Sequence, residues 1–286
     1  LDSISPSLLD AFISAALRED VKDGDHTSLA CIDADARDKA RLIVKDTGVI
    51  AGIEFARRVF EKVDDSCTFV PLIEDGQDVS FGDIAFEVSC GSRALLMAER
   101  LVLNTMQRLS GVSTMSRRYA KLVEDLPVTI LDTRKTTPLM RFLEKWAVRT
   151  GGCSNYRDGL YDWIMIKDNH VDACGSVTEA IQKVKRYLDM TGRTLDITVE
   201  VRSLSELNEA MEEGGIRRIM LDNFEIDQLV RAVNIIGHRF ETEASGGITY
   251  ETLRSVAETG VDFISVGALT HSAGSLDMSL KVQKEA

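Results

Sequence analysis

From Thr129 onward the chain repeats one pattern, a short β-branched or apolar run followed by a longer segment of helical period. The runs are Thr129 to Asp132, Trp163 to Ile166, Ile197 to Val201, Arg218 to Leu221, Phe240 to Ala244 and Phe263 to Val266. Between them, Ser176 to Leu188, Ser203 to Glu213, Asp227 to Ile235 and Thr249 to Thr259 have helical spacing, and Ser203 with Glu206 makes a capping box. Strands that alternate with helices pair in parallel, because each helix carries the chain back to the same end of the sheet. The strand centres lie roughly 20 to 35 residues apart, the period of a βα unit, so the pattern predicts a TIM-like (β/α) barrel. A doubly wound sheet is the competing architecture, and no G-x-G-x-x-G supports it.

The preceding residues follow a different rule. After Ser5-Pro6-Ser7, the residues Leu8, Leu9, Phe12, Ile13, Ala16 and Leu17 form a capped amphipathic helix. Short β-rich runs (Ala40 to Val44, Cys67 to Leu72, Asp83 to Val88) surround one helical stretch, Glu54 to Val63, which reads as a smaller N-terminal α+β domain. Arg93 to about Leu126 is helical, with a break expected at Ser110-Gly111. The domains expected are 1–111, a barrel over 112–272, and a C-terminal segment 273–286 that packs back on the first domain.

With 34 Lys and Arg against 46 Asp and Glu the formal charge is −12, so nucleic acid and anionic membranes are repelled as partners. No run approaches the roughly 18 apolar residues of a membrane span, the first twenty residues lack a secretory pattern, and a cytoplasmic location is expected. Five scattered cysteines without C-x-x-C read as reduced thiols, and four histidines without H-x-x-x-H make a dedicated zinc site unexpected.

In a parallel barrel, chemistry gathers at the C-terminal ends of the strands. Those ends carry Thr133-Arg134-Lys135-Thr136-Thr137, Lys167-Asp168-Asn169-His170, Glu200, Asp222-Asn223, Ser245-Gly246-Gly247 and Gly267-Ala268. The glycines of the last two ends suit a phosphate held by backbone N–H groups, or tight turns alone. Glu200 and Asp222 close otherwise apolar strands and need donors: ribose hydroxyls, a Mg²⁺ carried by a diphosphate, or a salt bridge across the mouth. Arg134, Lys135, Arg157 and Lys167 converge on one mouth of an acidic chain, which an anionic ligand would offset. The Arg217-Arg218 pair reads as a solvated basic face. No Ser/His/Asp or Cys/His pairing supplies a nucleophile, so the inventory suits electrostatic stabilisation of a dissociating centre, such as transfer from phosphoribosyl pyrophosphate.

The segments Thr133 to Pro138, Gly151-Gly152 through Asn155-Tyr156-Arg157-Asp158-Gly159-Leu160, Ile166 to His170, Met220 to Asn223 and Glu243 to Ile248 resemble the quinolinate phosphoribosyltransferases (nicotinate-nucleotide pyrophosphorylase, carboxylating), in order and over essentially the whole chain. The resemblance implies an N-terminal α/β domain and an incomplete barrel, with Mg²⁺-dependent conversion of quinolinate and phosphoribosyl pyrophosphate to nicotinate mononucleotide, pyrophosphate and CO₂ in de novo NAD biosynthesis. It implies a homodimer, or a higher oligomer built from one, in which residues 1–111 contribute to the partner subunit's active site through Arg100 of Glu99-Arg100-Leu101. Arg134, Tyr156, Arg157 and Lys167 would hold quinolinate; Lys135 would face pyrophosphate; Glu200 and Asp222 would face ribose and Mg²⁺; Ser245, Gly246, Gly247 and Gly267 would hold the 5′-phosphate. By the same resemblance Lys135, Glu200 and Asp222 would form the catalytic set. Two positions depart from the family pattern, Tyr156 in place of His and Leu139 in place of Gly.

Overall fold

A computed structural model of the chain describes residue 1 and residues 4–283, so the last three residues of the segment 273–286 lie outside the described residues. The chain divides into two compact units, Leu1–Arg117 with Phe142–Gly152 and Ala273–Ala286, and Arg118–Arg141 with Cys153–Ser272.

The first unit begins with α1 (Pro6–Val21), started by Pro6 in the first helical turn, where its missing N–H costs nothing. Then come α2 (His26–Cys31), β1 (Arg37–Val44), β2 (Gly48–Val49), α3 (Ile53–Val63), β3 (Thr68–Pro71), β4 (Asp78–Val79), β5 (Ile84–Gly91) and α4 (Ser92–Leu122). Side chains of β5 alternate toward a core in which Phe60, Phe69 and Phe86 stack with centroids 4.5–6.2 Å apart. The sheet order is β12-β1-β5-β3, where β12 (Met278–Val282) pairs antiparallel with β1, Leu42 opposite Leu280.

Helix α4 corrects one expectation, since it runs through Ser110-Gly111 without the break that a glycine there suggests. The small residues serve close packing: a Cβ on Gly111 would lie 1.8 Å from the Gly274 carbonyl oxygen, and Ser110 Oγ accepts the Ala51 N–H at 2.8 Å.

The second unit is built on β6 (Thr129–Leu131), and α5 (Arg141–Thr150) follows it in the chain. Next come β7 (Ile164–Ile166), α6 (Asp168–Cys174), α7 (Val177–Thr191), β8 (Ile197–Val201), α8 (Leu204–Glu213), β9 (Arg218–Asp222), α9 (Ile226–Ile236), β10 (Glu241–Ser245), α10 (Tyr250–Ala257), β11 (Phe263–Ser265) and α11 (Ala268–His271). The six strands pair in parallel in the order β6-β11-β10-β9-β8-β7. Sequence neighbours are adjacent and β11 returns to β6, which is the cyclic order of a barrel, but β6 and β7 stand at the two sheet edges and leave it incomplete. Along the outer edge of β6 runs the segment around Ser154, whose N–H donates to Ile130 O at 2.8 Å and whose carbonyl accepts from Asp132 N at 3.0 Å.

Candidate active site

Strand alternation decides which residues look inward. Register sets Met165 beside Thr198 and Thr198 beside Arg218, and it puts Glu200 and Glu243 on either side of Met220. One face of the sheet therefore carries Lys167, Thr198, Glu200, Arg218, Met220, Asp222, Glu243 and Ser245, while Val199, Val201, Ile219, Leu221 and Ala244 on the other face are buried apolar groups. A cavity of about 870 Å³ lies at the C-terminal ends of these strands. Its lining includes Arg134, Lys135, Tyr156, Arg157, Lys167, Asp222, Ser245, Gly246, Gly247 and Gly267, all from the second unit. Glu200 is 6% exposed and joins this set through an ion pair with Lys167, while Arg100 is exposed on α4 in the first unit.

The Lys167–Glu200 pair follows from register. Ile166 lies opposite Val199, so the next residues, Lys167 and Glu200, are level on adjacent strands and facing the same side. Lys167 also opens α6, its N–H donating to His170 Nδ1 at 2.9 Å. The donor Glu200 requires is thus a lysine of the same mouth. Asp222 is half-buried and accepts from Asn223 Nδ2 at 2.7 Å.

The guanidiniums sit on loops. Arg157 Nη1 donates to Trp163 O at 3.3 Å, and burial followed by the Arg134 charge lowers its pKa. Arg134 Nε is buried with no hydrogen-bond partner among the described residues, which an anionic ligand would remedy. Lys135 is exposed, its carbonyl accepting from Thr270 Oγ1 at 2.7 Å.

Gly246 and Gly247 have φ of +91° and +60°. A Cβ on Gly246 would lie 2.3 Å from Asn223 Oδ1 and 2.9 Å from Asn223 N, so only glycine fits beside that residue. Asn223 is itself left-handed, φ +56°, its N–H donating to Ser245 O at 2.9 Å. The resulting loop leads into the N-terminus of α10, where backbone N–H groups and the helix dipole favour an anion.

The two departures from the family pattern have clear settings. Tyr156 Oη is 2.7 Å from Thr198 Oγ1, and burial, then the Glu243 charge, pushes the phenol pKa up. Its hydroxyl is therefore committed to the barrel interior. Leu139 is 87% exposed at φ +63°, a conformation that glycine adopts without strain.

Residues 25–110 match the family described as Quinolinate phosphoribosyl transferase, N-terminal domain, and residues 112–281 match its C-terminal domain. The chain belongs to the quinolinate phosphoribosyltransferase family. It is 42% identical to quinolinate phosphoribosyltransferase [decarboxylating] 1b of Nicotiana tabacum over 97% of this chain and 83% of that one. It is also 42% identical to a probable nicotinate-nucleotide pyrophosphorylase [carboxylating] of Bacillus subtilis, covering 92% and 90%. The crystal structure of NadC from Streptococcus pyogenes superposes with a TM-score of 0.92 at 39% identity over 99% of both chains.

In this quinolinate phosphoribosyltransferase family member, Arg218 corrects the solvated-pair expectation. Arg217 is exposed, but the Arg218 side chain is 6% exposed, pairs with Glu241 and Glu243 at 2.8 and 3.1 Å, and lies 3.7 Å from the Phe263 ring centroid. Burial opposes its charge, yet Glu243 holds it protonated and its pKa raised. Sequence reasoning also missed Glu243, which Ser265 and Arg218 contact, and the cavity residues Ser265 and His271, and it placed Asn223 at a strand end without giving it a role. Strand parity was the available signal, since Arg218, Met220 and Asp222 share a face.

Proposed function

We propose that the chain transfers the phosphoribosyl group of phosphoribosyl pyrophosphate to quinolinate with decarboxylation, yielding nicotinate mononucleotide, pyrophosphate and CO₂ for de novo NAD biosynthesis. The observation that carries this is one cavity with Arg134, Arg157 and Lys167 in its wall together with the Ser245-Gly246-Gly247 loop and Gly267. Arg134, Arg157 and Lys167 bind the two quinolinate carboxylates, with the Tyr156 ring beside them. Ser245, Gly246, Gly247 and Gly267 take the 5′-phosphate on backbone N–H groups. Lys135 faces the pyrophosphate, and Glu200 and Asp222 orient the ribose hydroxyls.

As pyrophosphate departs from the ribose C1, positive charge develops on the ring, and the carboxylates of Glu200 and Asp222 favour that charge. The quinolinate nitrogen attacks C1, and the quaternised ring then accepts the electrons of the C–CO₂ bond, so CO₂ leaves without a protein nucleophile and a solvent proton replaces it. Among the described residues no group of three or more His, Cys, Asp or Glu side chains is placed to hold a metal ion by itself. Asp222 and Glu200 instead offer the one or two carboxylates that Mg²⁺ takes beside substrate phosphates. Bound there, the ion would supply positive charge to the departing pyrophosphate.

Further elements of the reading are a cytoplasmic homodimer, or a larger assembly of dimers, in which residues 1–111 cover the partner subunit's cavity and Arg100 reaches it. No helix among the described residues is long and apolar enough to cross a membrane. The test is to supply phosphoribosyl pyrophosphate, Mg²⁺ and either quinolinate or nicotinate, following nicotinate mononucleotide and CO₂ together. Product and CO₂ in equal amounts from quinolinate, abolished by EDTA, is expected; product only from nicotinate would overturn the acceptor assignment.

A further inference from the structure

Arg134 and Arg157 both line the cavity, two like charges carried on different loops. Arg134 lies just past β6, whereas Arg157 lies on the segment that runs along the open edge of the sheet. Backbone pairing joins these strands only as far as Ser154, bonded to Ile130 and Asp132. Beyond that point the chain of backbone bonds is continued by a side chain. The Asp132 carboxylate, in a residue 0% exposed, accepts the Tyr156 N–H on Oδ1 at 2.8 Å and Asn155 Nδ2 on Oδ2 at 2.6 Å. Its two oxygens thus hold the two residues immediately before Arg157, while its own backbone leads through Thr133 into Arg134.

We propose that Asp132 is a positioning residue whose carboxylate ties the Arg157 segment to the end of β6, setting the spacing of the two guanidiniums and so favouring a ligand with two anionic groups. The ligand part of this inference rests on the phosphoribosyl-transfer reading above. A buried carboxylate suits the task because charge-assisted bonds are roughly twice as strong as neutral ones, and because its two acceptors reach both a side-chain amide and a backbone N–H. Asp132 also leaves Arg157 itself free to meet a ligand, since it binds the neighbours and not the guanidinium.

The tests are Asp132→Asn, which weakens the clamp, and Asn155→Ala, which removes only one arm should the first variant fail to fold. In ligand-free protein, amide hydrogen exchange is expected to rise in the segments 133–137 and 154–158 and to stay unchanged in β8 to β10. In titrations, quinolinate affinity is expected to fall about tenfold or more, as for misplacement of binding groups by an ångström, while phosphoribosyl pyrophosphate affinity falls several-fold less, because of its proposed contacts only Lys135 lies in the loosened segments. Unchanged exchange in both segments, or an equal loss of both affinities, would overturn the proposal. If the unaltered protein binds no quinolinate, the functional reading and the dianion preference fall together, whereas the exchange result still decides for or against the clamp.

Discussion

Replacing Lys167 by Met removes the cation from a pair whose other half cannot follow it into water. The Glu200 side chain is 7% exposed on a strand buried along its length, while the Lys167 side chain is 42% exposed. Breaking a fully buried pair costs about 3–5 kcal/mol because a charge is left without a partner. With one member nearly half in solvent, screening reduces this to about 1–2 kcal/mol. At about 2–4 °C per kcal/mol, the variant is expected to melt about 2–8 °C lower. The double variant Lys167→Met/Glu200→Gln removes the orphaned charge as well and is expected to recover most of that loss.

Activity is expected to behave differently. If Lys167 meets a desolvated quinolinate carboxylate, its loss costs about 2–5 kcal/mol of transition-state binding, a fall in kcat/KM of about 30-fold or more. The second substitution restores stability without restoring a cation and also removes a carboxylate assigned to the ribose, so the double variant should melt close to the wild type and be at least as impaired toward quinolinate as the single variant. Scanning calorimetry and initial rates on the same preparations check both halves. A double variant as labile as the single one would refute the orphaned-charge argument. A Lys167→Met enzyme whose kcat/KM stayed within a few fold of wild type would remove Lys167 from the quinolinate site.

Gly246→Ala should lose both stability and phosphoribosyl pyrophosphate affinity, because its Cβ meets Asn223 at 2.3–2.9 Å, whereas Gly247→Ala has open space and faces only left-handed strain of about 1–2 kcal/mol; titrations on both variants compare them. Leu139→Val puts a β-branched residue at φ +63° and is expected to cost about 1–2 kcal/mol in urea denaturation, although residue 139 is exposed. The Asp64 carboxylate accepts from Gly91 N at 2.7 Å and from Ser66, which holds its pKa below the usual value. A lowered folded pKa contributes stability that is present above the unfolded value and lost as pH falls through the folded one. Asp64→Asn should therefore be less stable than wild type at pH 7, with the two curves converging below pH 3.8, as acid-unfolding series can record.

The barrel was legible because its strands and helices announce themselves locally. Ile197 to Val201 is a strand by composition, and Ser203 with Glu206 starts the next helix by hydrogen bonds that need no distant partner: Glu206 N–H meets Ser203 Oγ at 3.2 Å and Arg202 N–H meets Glu206 Oε2 at 2.7 Å. The cavity residues were legible for a related reason. Parallel topology sends every strand end to one mouth, so listing the residues after each run finds Arg134, Lys167, Asp222 and Gly246 without knowing any distance. Helix α4 was misread at Ser110-Gly111 because a glycine required by close packing looks the same in sequence as a glycine that ends a helix.

What sequence alone determined is thus the six barrel strands, the longer helices between them, their parallel pairing and the chemistry offered at their ends, all of which depend on periodicity and local bonding. Tertiary structure decided which of those groups meet. Arg217 and Arg218 are adjacent in sequence, yet alternation puts one in solvent and the other against Glu243. Asp132 reads as the last residue of a strand, and only the open edge beside β6 makes it the acceptor for Asn155 and Tyr156. Such pairings depend on register between segments far apart in the chain, and register is set by packing of the whole sheet, which no single segment encodes.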